Sequence, residues 1–264
     1  MARIIAVTNQ KGGVGKTTTC VNLAASLSAT RRRVLLVDMD PQGNATMGSG
    51  VDKNALALSG YDVLTKRQSA ADVIILAEAS GFDILPANGD LTAAEVELMN
   101  EIGREHRLRL QLNGVRDRYD YILVDCPPSL NLLTVNALSA ADSVLIPMQC
   151  EYYALEGLAA LMNTVEQIQE TVNPDLALEG ILRTMYDPRN SLTLDVSAQL
   201  NEYFGDKVYK AVIPRNVRLA EAPSYGVPAL KYDRASKGAI AYLALAGEMV
   251  RRNGQQRQSQ PVAV

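Results

Sequence analysis

A short run of residues near the start of the chain has the residue types that bind nucleotide phosphates. Residues 9–18 read Asn-Gln-Lys-Gly-Gly-Val-Gly-Lys-Thr-Thr. Glycines let a backbone turn tightly and bring its N–H groups close to an anion. Lys16 adds a positive charge for the β- and γ-phosphates, and the Thr17 hydroxyl is placed to ligate Mg²⁺. The run predicts a phosphate-binding loop with contacts from Gly12, Gly13, Val14, Gly15, Lys16, Thr17 and Thr18.

This loop departs from the usual Walker A pattern. The pattern has a glycine five residues before the glycine that precedes the lysine, and this chain has Gln10 there. It also has a second lysine, Lys11, which is an extra cation at the mouth of the loop. The alternative is a glycine-rich turn that binds nothing. The position of Gly-Lys-Thr-Thr between a predicted strand and a predicted helix argues against it, because the helix N-terminus completes a phosphate site.

Three aspartates at or just after the ends of predicted buried strands could act on a bound nucleotide. Asp125 ends the hydrophobic run Tyr121–Asp125, which favours a Walker B aspartate that orients Mg²⁺. Asp38 ends the run 33–38 and is expected at the same edge of the sheet, in a metal-linked role. Asp40 follows in a loop, where it could position the attacking water. The alternative for Asp38 or Asp40 is that it only caps a turn.

Alternating strand and helix patterns predict the elements that position these residues. Strands are predicted over 3–8, 33–38, 82–86, 121–125, 143–147, 178–184 and 208–213. Helices are predicted over 17–27, 52–80, 91–116, 154–172, 192–204 and 235–252. In the last helix a stripe of Ile240, Leu243, Gly247 and Val250 is predicted to face the core. The alternation predicts an α/β fold with a mostly parallel, doubly wound sheet, flanked by helices and binding ligands at the carboxyl ends of its strands.

Composition limits the remaining classes of protein. No linker or internal repeat divides the 264 residues, so residues 1–252 are predicted to form one domain and 253–264 a polar tail. Three cysteines with wide spacing fit neither a disulfide framework nor a zinc site, and they favour a reducing cytoplasm. Neither a signal peptide nor a transmembrane helix is expected. His106, the only histidine, is expected on a solvated face, which argues against a Ser-His-Asp enzyme.

Charge is distributed unevenly along the chain. The net charge is −3, which taken alone argues against nucleic acid as a partner. Residues 1–204 hold 16 Lys/Arg and 25 Asp/Glu, whereas residues 205–257 hold 10 Lys/Arg and 4 Asp/Glu. A basic C-terminal quarter on an acidic body can mark a surface that binds a polyanion. The alternative is a basic surface that is only solvated.

Several motifs together resemble one known family. Residues 11–18, Asp-Met-Asp-Pro-Gln-Gly-Asn at 38–44 and Asp-Cys-Pro-Pro-Ser at 125–129 are similar to the ParA/Soj chromosome-partitioning ATPases, which have a deviant Walker A loop. The likeness continues through Cys-Glu-Tyr-Tyr-Ala-Leu-Glu-Gly at 150–157 and Ile-Pro-Arg-Asn-Val-Arg-Leu-Ala-Glu-Ala-Pro at 213–223. The resemblance implies a Mg²⁺-dependent ATPase, slow without its partner, in which ATP closes two subunits into a sandwich homodimer. Lys11 would then reach the partner's phosphates, and Asp40 would orient the water.

The resemblance also implies which molecules the protein meets. The ATP-bound dimer would bind double-stranded DNA without sequence preference through Arg189 and Arg218. Arg251 and Arg252 are additional candidates from charge alone. Adenine contacts would come from around Pro214 and Asn216. A ParB/Spo0J-type protein would stimulate hydrolysis and release the dimer from DNA, so a cytoplasmic, nucleoid-associated protein without a membrane partner is expected.

Three rival hypotheses remain. A MinD-like membrane-associated ATPase requires an amphipathic C-terminal helix, and residues 253–264 are Gln-rich, with Pro261 and no apolar stripe. A reductase like the nitrogenase iron protein needs cysteines that ligate a cluster, whereas Cys126 and Cys150 lie in ParA-like contexts. A repressor whose DNA binding is switched by nucleotide would carry an N-terminal helix-turn-helix, and the phosphate loop begins by residue 11, which leaves no room for one.

Overall fold

The protein folds around an eight-stranded sheet. The computed structural model describes the backbone of residues 1–259 and the side chains of residues 1–255. The strands are β1 Arg3–Val7, β2 Val34–Asp38, β3 Ile75–Ala77, β4 Phe82–Leu85, β5 Tyr121–Asp125, β6 Ser143–Gln149, β7 Ala177–Tyr186 and β8 Val208–Pro214. Their order across the sheet is β3-β4-β2-β5-β1-β6-β7-β8, and only β3 runs antiparallel to its neighbour. The predicted α/β fold with a mostly parallel, doubly wound sheet is confirmed.

Helices connect the strands and cover both faces of the sheet. The α-helices of the described residues are α1 Lys16–Ala29, α2 Asn44–Gly48, α3 Gly60–Leu64, α4 Ala70–Val73, α5 Leu91–Glu97, α6 Arg107–Asn113, α7 Leu132–Ala140, α8 Ala154–Thr171, α9 Ser191–Phe204, α10 Val217–Glu221, α11 Ala229–Tyr232 and α12 Lys237–Ser259. Short 3-10 helices lie at Lys53–Ala55, Leu98–Asn100, Arg104–His106, Arg116–Arg118, Gly205–Lys207 and Ala222–Tyr225. Among the described residues, no helix is long and apolar enough to cross a bilayer.

Two hydrophobic cores form, one on each face of the sheet. Alternate residues of a strand point to opposite faces. In β1, Ile4 and Ala6 therefore join the core under α6, α7 and α8, whereas Ile5 and Val7 join the core under α1 and α12. Burial on both faces explains why the central strands are continuous apolar runs rather than alternating ones.

The segments between β2 and β5 differ from the predicted long helices. The region 52–80 contains only short helices and then β3, which closes one edge of the sheet. Two of the three residues of β3, Ile75 and Leu76, are exposed, so no pattern of buried positions indicated a strand. The region 91–116 is broken at Gly103, whose φ of +67° is a left-handed conformation that interrupts a helix. Both predicted helices are therefore wrong in extent.

The last helix also differs from its prediction. Its buried face consists of Ala239, Tyr242, Leu245, Ala246 and Met249, and Ile240 of the predicted stripe is 55% exposed. The predicted stripe is confirmed only at Val250, which packs against the core, because the helix is rotated to bury Tyr242, whose hydroxyl bonds to Thr19 in α1. The helix extends past residue 252, and the buried amide of Asn253 donates to the Tyr121 hydroxyl at 3.1 Å. The predicted start of the tail therefore lies within α12, and residues 260–264 lie outside the described residues.

Candidate nucleotide and metal site

The phosphate loop, residues 8–15, connects β1 to α1. Gly13 and Gly15 have φ angles of +74° and +90°, which glycine adopts without steric cost. Gly15 is the N-cap of α1, and no side chain caps this helix. The amides of the first turn are therefore available to an anion at the positive end of the helix dipole. A Cβ on Gly12 or Gly13 would meet no atom within 4 Å, so the space beside the loop is open.

The two lysines of the loop lie in opposite environments. Lys16 is 7% exposed, and its Nζ donates to the carbonyl of Lys11 at 3.3 Å, inside the loop. Burial lowers the pKa of Lys16, and the nearby carboxylate of Asp125 opposes that shift. Lys11 points outward, where its Nζ lies 2.6 Å from Oε2 of Glu151. Sequence reasoning did not single out Glu151, because 140 positions separate it from the lysine that it contacts.

Asp38 and Asp125 lie side by side at the carboxyl ends of two neighbouring strands. They are register partners in the β2–β5 pair, and both side chains are fully buried. Burial raises the pKa of both carboxyls, and the charge of Asp38 raises the pKa of Asp125 further. Oδ1 of Asp125 accepts a hydrogen bond from the Cys20 thiol at 3.4 Å. Oδ2 of Asp125 is buried without a hydrogen-bond partner among the described residues.

The residues at this point fit a magnesium ion. A buried carboxylate oxygen without a donor costs free energy, and a cation supplies the missing partner. Thr17, Asp38 and Asp125 offer the oxygen ligands that Mg²⁺ prefers. In the described part of the chain, no group of three or more His, Cys, Asp or Glu side chains could hold a metal alone. Asp38, Asp125 and the Thr17 hydroxyl would hold Mg²⁺ together with nucleotide phosphates, since Mg²⁺ is usually bound by one or two carboxylates and substrate phosphates.

Asp40 lies in the loop after β2 and is partly buried. Its Oδ1 accepts from the backbone N–H of Gln42 at 2.9 Å, and its own N–H donates to Oδ1 of Asp38 at 3.1 Å. Asp40 therefore does cap a turn, as the alternative hypothesis expects. A carboxylate has about four acceptor positions, so this cap leaves the side chain able to bind a water molecule as well.

A cleft of about 420 Å³ adjoins the phosphate loop and has the size of a small-ligand site. Its lining includes the predicted adenine residues Pro214 and Asn216 together with Gly15, Thr18, Thr184, Met185, Ile213, Arg215, Val217, Leu219, Ala220 and Tyr242. Oδ1 of Asn216 accepts from the N–H of Arg218 at 3.1 Å and caps α10.

Two residues that sequence reasoning missed connect this cleft to the phosphate loop. Met185 has a φ of +49°, which is uncommon outside glycine, and its sulfur accepts from the amide of Gln149. The same amide donates to the carbonyl of Gly13 at 3.0 Å. The Thr184 hydroxyl donates to the carbonyl of Val14 at 2.8 Å. Only the folded arrangement brings the end of β7 against the loop, so no sequence signal was available.

Arg189 and Arg218 follow the carboxyl ends of β7 and β8, on the same side of the sheet as the phosphate loop. We call this side, where the carboxyl ends of the parallel strands lie, the nucleotide edge. Arg189 follows β7 and forms two side-chain hydrogen bonds with Asp187, at 2.8 and 2.9 Å. These bonds lower the pKa of Asp187 to about 2. Arg218 follows β8 and donates to Glu221 at 2.8 Å. Both guanidinium groups are accessible, with 88% and 48% of the side-chain area exposed.

Arg251 and Arg252 lie at the opposite edge. The guanidinium of Arg252 donates to Glu248 and to the carbonyls of Asp206 and Val208, at the start of β8. Since β8 has seven residues, about 20 Å of strand separates this point from the edge that holds Arg218. The structure therefore does not bring the four predicted DNA-binding arginines together, and the guanidinium of Arg252 already donates to three groups of the chain.

Comparisons with known proteins give the same picture as the geometry. A protein-family model described as an AAA domain matches residues 2–178. Soj of Bacillus subtilis is 55% identical, with 94% of this chain and 98% of that protein covered. The chromosome partitioning protein ParA of Myxococcus xanthus is 51% identical, with 96% and 89% covered. A crystal structure of cobyrinic acid a,c-diamide synthase from Mycobacterium smegmatis with a bound ATP analogue and magnesium has a TM-score of 0.85, at 38% identity and 97% and 98% coverage.

Fold and site together define the class of this protein as a P-loop ATPase of the ParA/MinD type that uses ATP and Mg²⁺. Within that class, identity of one half or more to Soj and ParA extends over nearly the whole length. The chain belongs to the ParA/Soj family of chromosome-partitioning ATPases.

Proposed function

We propose that this ATPase forms an ATP sandwich homodimer that binds DNA without sequence preference and leaves it after partner-stimulated hydrolysis. The observation that carries the proposal is the outward position of Lys11. Lys16 already fills the inside of the loop, whereas the Lys11 side chain is 53% exposed and its charge partner, the Glu151 side chain, is 46% exposed. An exposed ion pair contributes only about 0–1 kcal/mol, so Lys11 can exchange Glu151 for the phosphates of a second subunit at little cost.

In this proposal the residues of one subunit bind ATP and prepare the water. Lys16 and the first-turn amides of α1 hold the phosphates, and Pro214 and Asn216 contact the adenine in the adjoining cleft. Thr17, Asp38 and Asp125 would hold Mg²⁺, which would neutralise charge on the phosphate oxygens. Asp40 orients the attacking water, and Lys11 of the other subunit stabilises the charge that develops during transfer.

DNA binding is proposed for the surface around Arg189 and Arg218. Both lie at the nucleotide edge of the sheet, so closure of a dimer around ATP would fix their relative positions. For a DNA phosphate, Arg189 would give up Asp187, and Arg218 would give up Glu221 and Asp233. Arg251 is a weaker candidate because it lies at the other edge, and Arg252 contributes least because its donors are used within the chain.

A protein of this kind works in the cytoplasm at the nucleoid, with slow hydrolysis until a ParB/Spo0J-type partner arrives.

Gel filtration with light scattering, with and without Mg-ATP, followed by binding to DNA of arbitrary sequence, tests the proposal. We expect a dimer and DNA binding only with ATP. A monomer in ATP would refute the sandwich. A preference for one operator above roughly a thousandfold would favour the repressor instead.

A further inference from the structure

A buried threonine in α2 makes contacts that the proposed mechanism does not yet use. Thr46 is fully buried. Its backbone N–H and its hydroxyl both donate to Oδ2 of Asp38, at 2.8 and 2.7 Å. Its hydroxyl oxygen also accepts from the N–H of Ala87, at 2.9 Å. One hydroxyl group therefore joins the segment after β4 to the carboxylate at the end of β2.

The hydrogen bonds continue from Asp38 into the loop that carries Asp40. Oδ1 of Asp38 accepts from the N–H of Asp40 at 3.1 Å. The N–H of Ala87 donates to the Thr46 hydroxyl, and the hydroxyl and N–H of Thr46 donate to the Asp38 carboxylate. The N–H of Asp40 donates to the same carboxylate. The orientation of Asp38 and the path of the backbone at Asp40 depend on one another through this carboxylate.

The hydroxyl of Thr46 opposes a force that would turn Asp38. Asp125 faces Asp38 across the β2–β5 pair, and two buried carboxylates this close repel each other. Both donors of Thr46 bind the same oxygen, Oδ2, so they fix the rotation of the carboxylate about its last bond. A hydrogen bond to a charged group is among the stronger ones in a protein interior.

We infer that Thr46 is a positioning residue for the magnesium site. Its hydroxyl holds the Asp38 carboxylate in the orientation that serves Mg²⁺, and through Asp38 it holds the Asp40 loop. This inference rests on the proposed function, because it needs a Mg²⁺ that Asp38 helps to bind. It does not involve the phosphate loop, since Thr46 touches no residue of that loop among its hydrogen bonds.

Substitutions at Thr46 separate the hydroxyl from the shape of the side chain. Thr46→Val keeps the shape and removes the hydroxyl, and Thr46→Ser keeps the hydroxyl and removes the methyl group. Loss of a partner that orients a metal ligand typically weakens metal binding by about 10–100-fold. We expect this loss of Mg²⁺ affinity in Thr46→Val with ADP bound, whereas Thr46→Ser should stay within about threefold of the wild type.

The experiment titrates Mg²⁺ into ADP-saturated protein and follows the melting temperature, and calorimetry measures ADP affinity in EDTA. Ser49→Ala is the matched control. The buried Ser49 hydroxyl follows the last residue of α2 and donates to the carbonyl of Ala45 at 2.7 Å. The variant removes this bond and touches neither Asp38 nor Asp40. We expect only the Mg²⁺ response to change in Thr46→Val. If this variant does not fold, Thr46→Cys, with a weaker donor, should show an intermediate loss.

Two results would overturn the inference alone. One is a half-saturating Mg²⁺ concentration in Thr46→Val equal to that of the wild type. The other is an equal loss of ADP affinity in EDTA, which would indicate general damage instead of a misplaced metal ligand. If the wild type itself shows no Mg²⁺-dependent response to nucleotide, the proposed function fails first and the inference fails with it.

Discussion

Lys11 and Lys16 are five residues apart in one loop, yet their side chains meet opposite surroundings. Lys16 is enclosed by its own loop, and Lys11 lies outside it against Glu151. The same residue type therefore has two expected functions. Burial gives Lys16 a fixed position over the phosphates, and exposure leaves Lys11 free to move to another subunit.

Replacement of each lysine by alanine should separate these functions. Lys16→Ala should weaken ATP binding by roughly 10–100-fold, since a charge-assisted contact to the phosphates is lost. Lys11→Ala should keep ATP affinity within about twofold and lose dimerisation and hydrolysis. Calorimetry of monomeric protein with ATP measures the affinities. Equal losses in the two variants would contradict a cross-subunit function for Lys11.

Removal of the Asp40 carboxylate should trap the ATP-bound dimer. Asp40→Ala leaves the phosphate loop, Thr17 and Asp125 in place, so ATP still binds and the chemical step slows by about two orders of magnitude or more. Gel filtration with Mg-ATP should show a persistent dimer. Turnover at the wild-type rate, or elution as a monomer, would mean that another residue positions the water.

At the scale of elements, the register of β2 and β5 places two carboxylates together before any cation binds. Asp38 and Asp125 are register partners, and one buried oxygen of Asp125 has no partner within residues 1–255. This arrangement disfavours the folded state without a ligand and favours Mg²⁺ when nucleotide is present. A stability cost at a binding site is a common trade-off.

Asp125→Asn should therefore stabilise the ligand-free protein while it weakens Mg²⁺ binding. Each kcal/mol gained by removing the repulsion should raise Tm by about 2–4 °C for a chain of this size. Asp142→Asn is the control, because Asp142 is paired with Arg116 at 2.6 Å and its neutralisation should not raise Tm. Calorimetric melting without nucleotide measures both. A lower Tm in Asp125→Asn would disprove the repulsion.

Strands buried on both faces could be predicted from the sequence, whereas elements whose position depends on contacts with distant residues could not. The predicted boundaries of β1, β2 and β5 lie within one residue of those observed, since strands buried on both faces are continuous apolar runs. β3 was missed because an edge strand of three residues leaves no periodic pattern. The rotation of α12 was missed because Tyr242 is placed by Thr19, more than 200 residues away.

The residues of the candidate site fall into the same two groups, those that local motifs predict and those that depend on contacts with distant segments. The phosphate loop, Asp38 and Asp125 follow from local motifs at strand ends, and the structure brings them to one edge of the sheet. Their chemical functions stay predictions. Thr46, Glu151 and Met185 make their contacts with separate segments of the chain, and although Glu151 lies in the family-like run 150–157, no local pattern indicates these contacts.

At the scale of the whole molecule, the phosphate loop and the arginines proposed to contact DNA lie on one side of the sheet, at the carboxyl ends of its strands. Arg189→Glu and Arg218→Glu should weaken binding to random and specific DNA alike and spare ATP-driven dimerisation. Arg→Ala at either position should make the slope of log affinity against log salt shallower by about one to two units per dimer.

Two variants elsewhere make this DNA test specific for the nucleotide edge. Arg109→Glu removes an exposed charge on α6, and Arg251→Glu removes one at the opposite edge of the sheet. Both should have smaller effects than the changes at Arg189 and Arg218. Equal effects of all four charge reversals in a salt titration would mean that net charge, and not this surface, controls DNA binding.

Mixing two inactive variants tests the central claim, that Lys11 acts in the site of the other subunit. In a mixed dimer of Lys11→Ala and Asp40→Ala subunits, the site of the Lys11→Ala subunit keeps its own Asp40 and receives Lys11 from its neighbour. We expect each variant alone to be inactive and the mixture, combined before ATP is added, to regain at most about half of the wild-type ATPase rate, since only one of the two sites in a mixed dimer is complete. If Lys11 served its own subunit, neither site of the mixed dimer would be complete, and a mixture without activity would contradict the account.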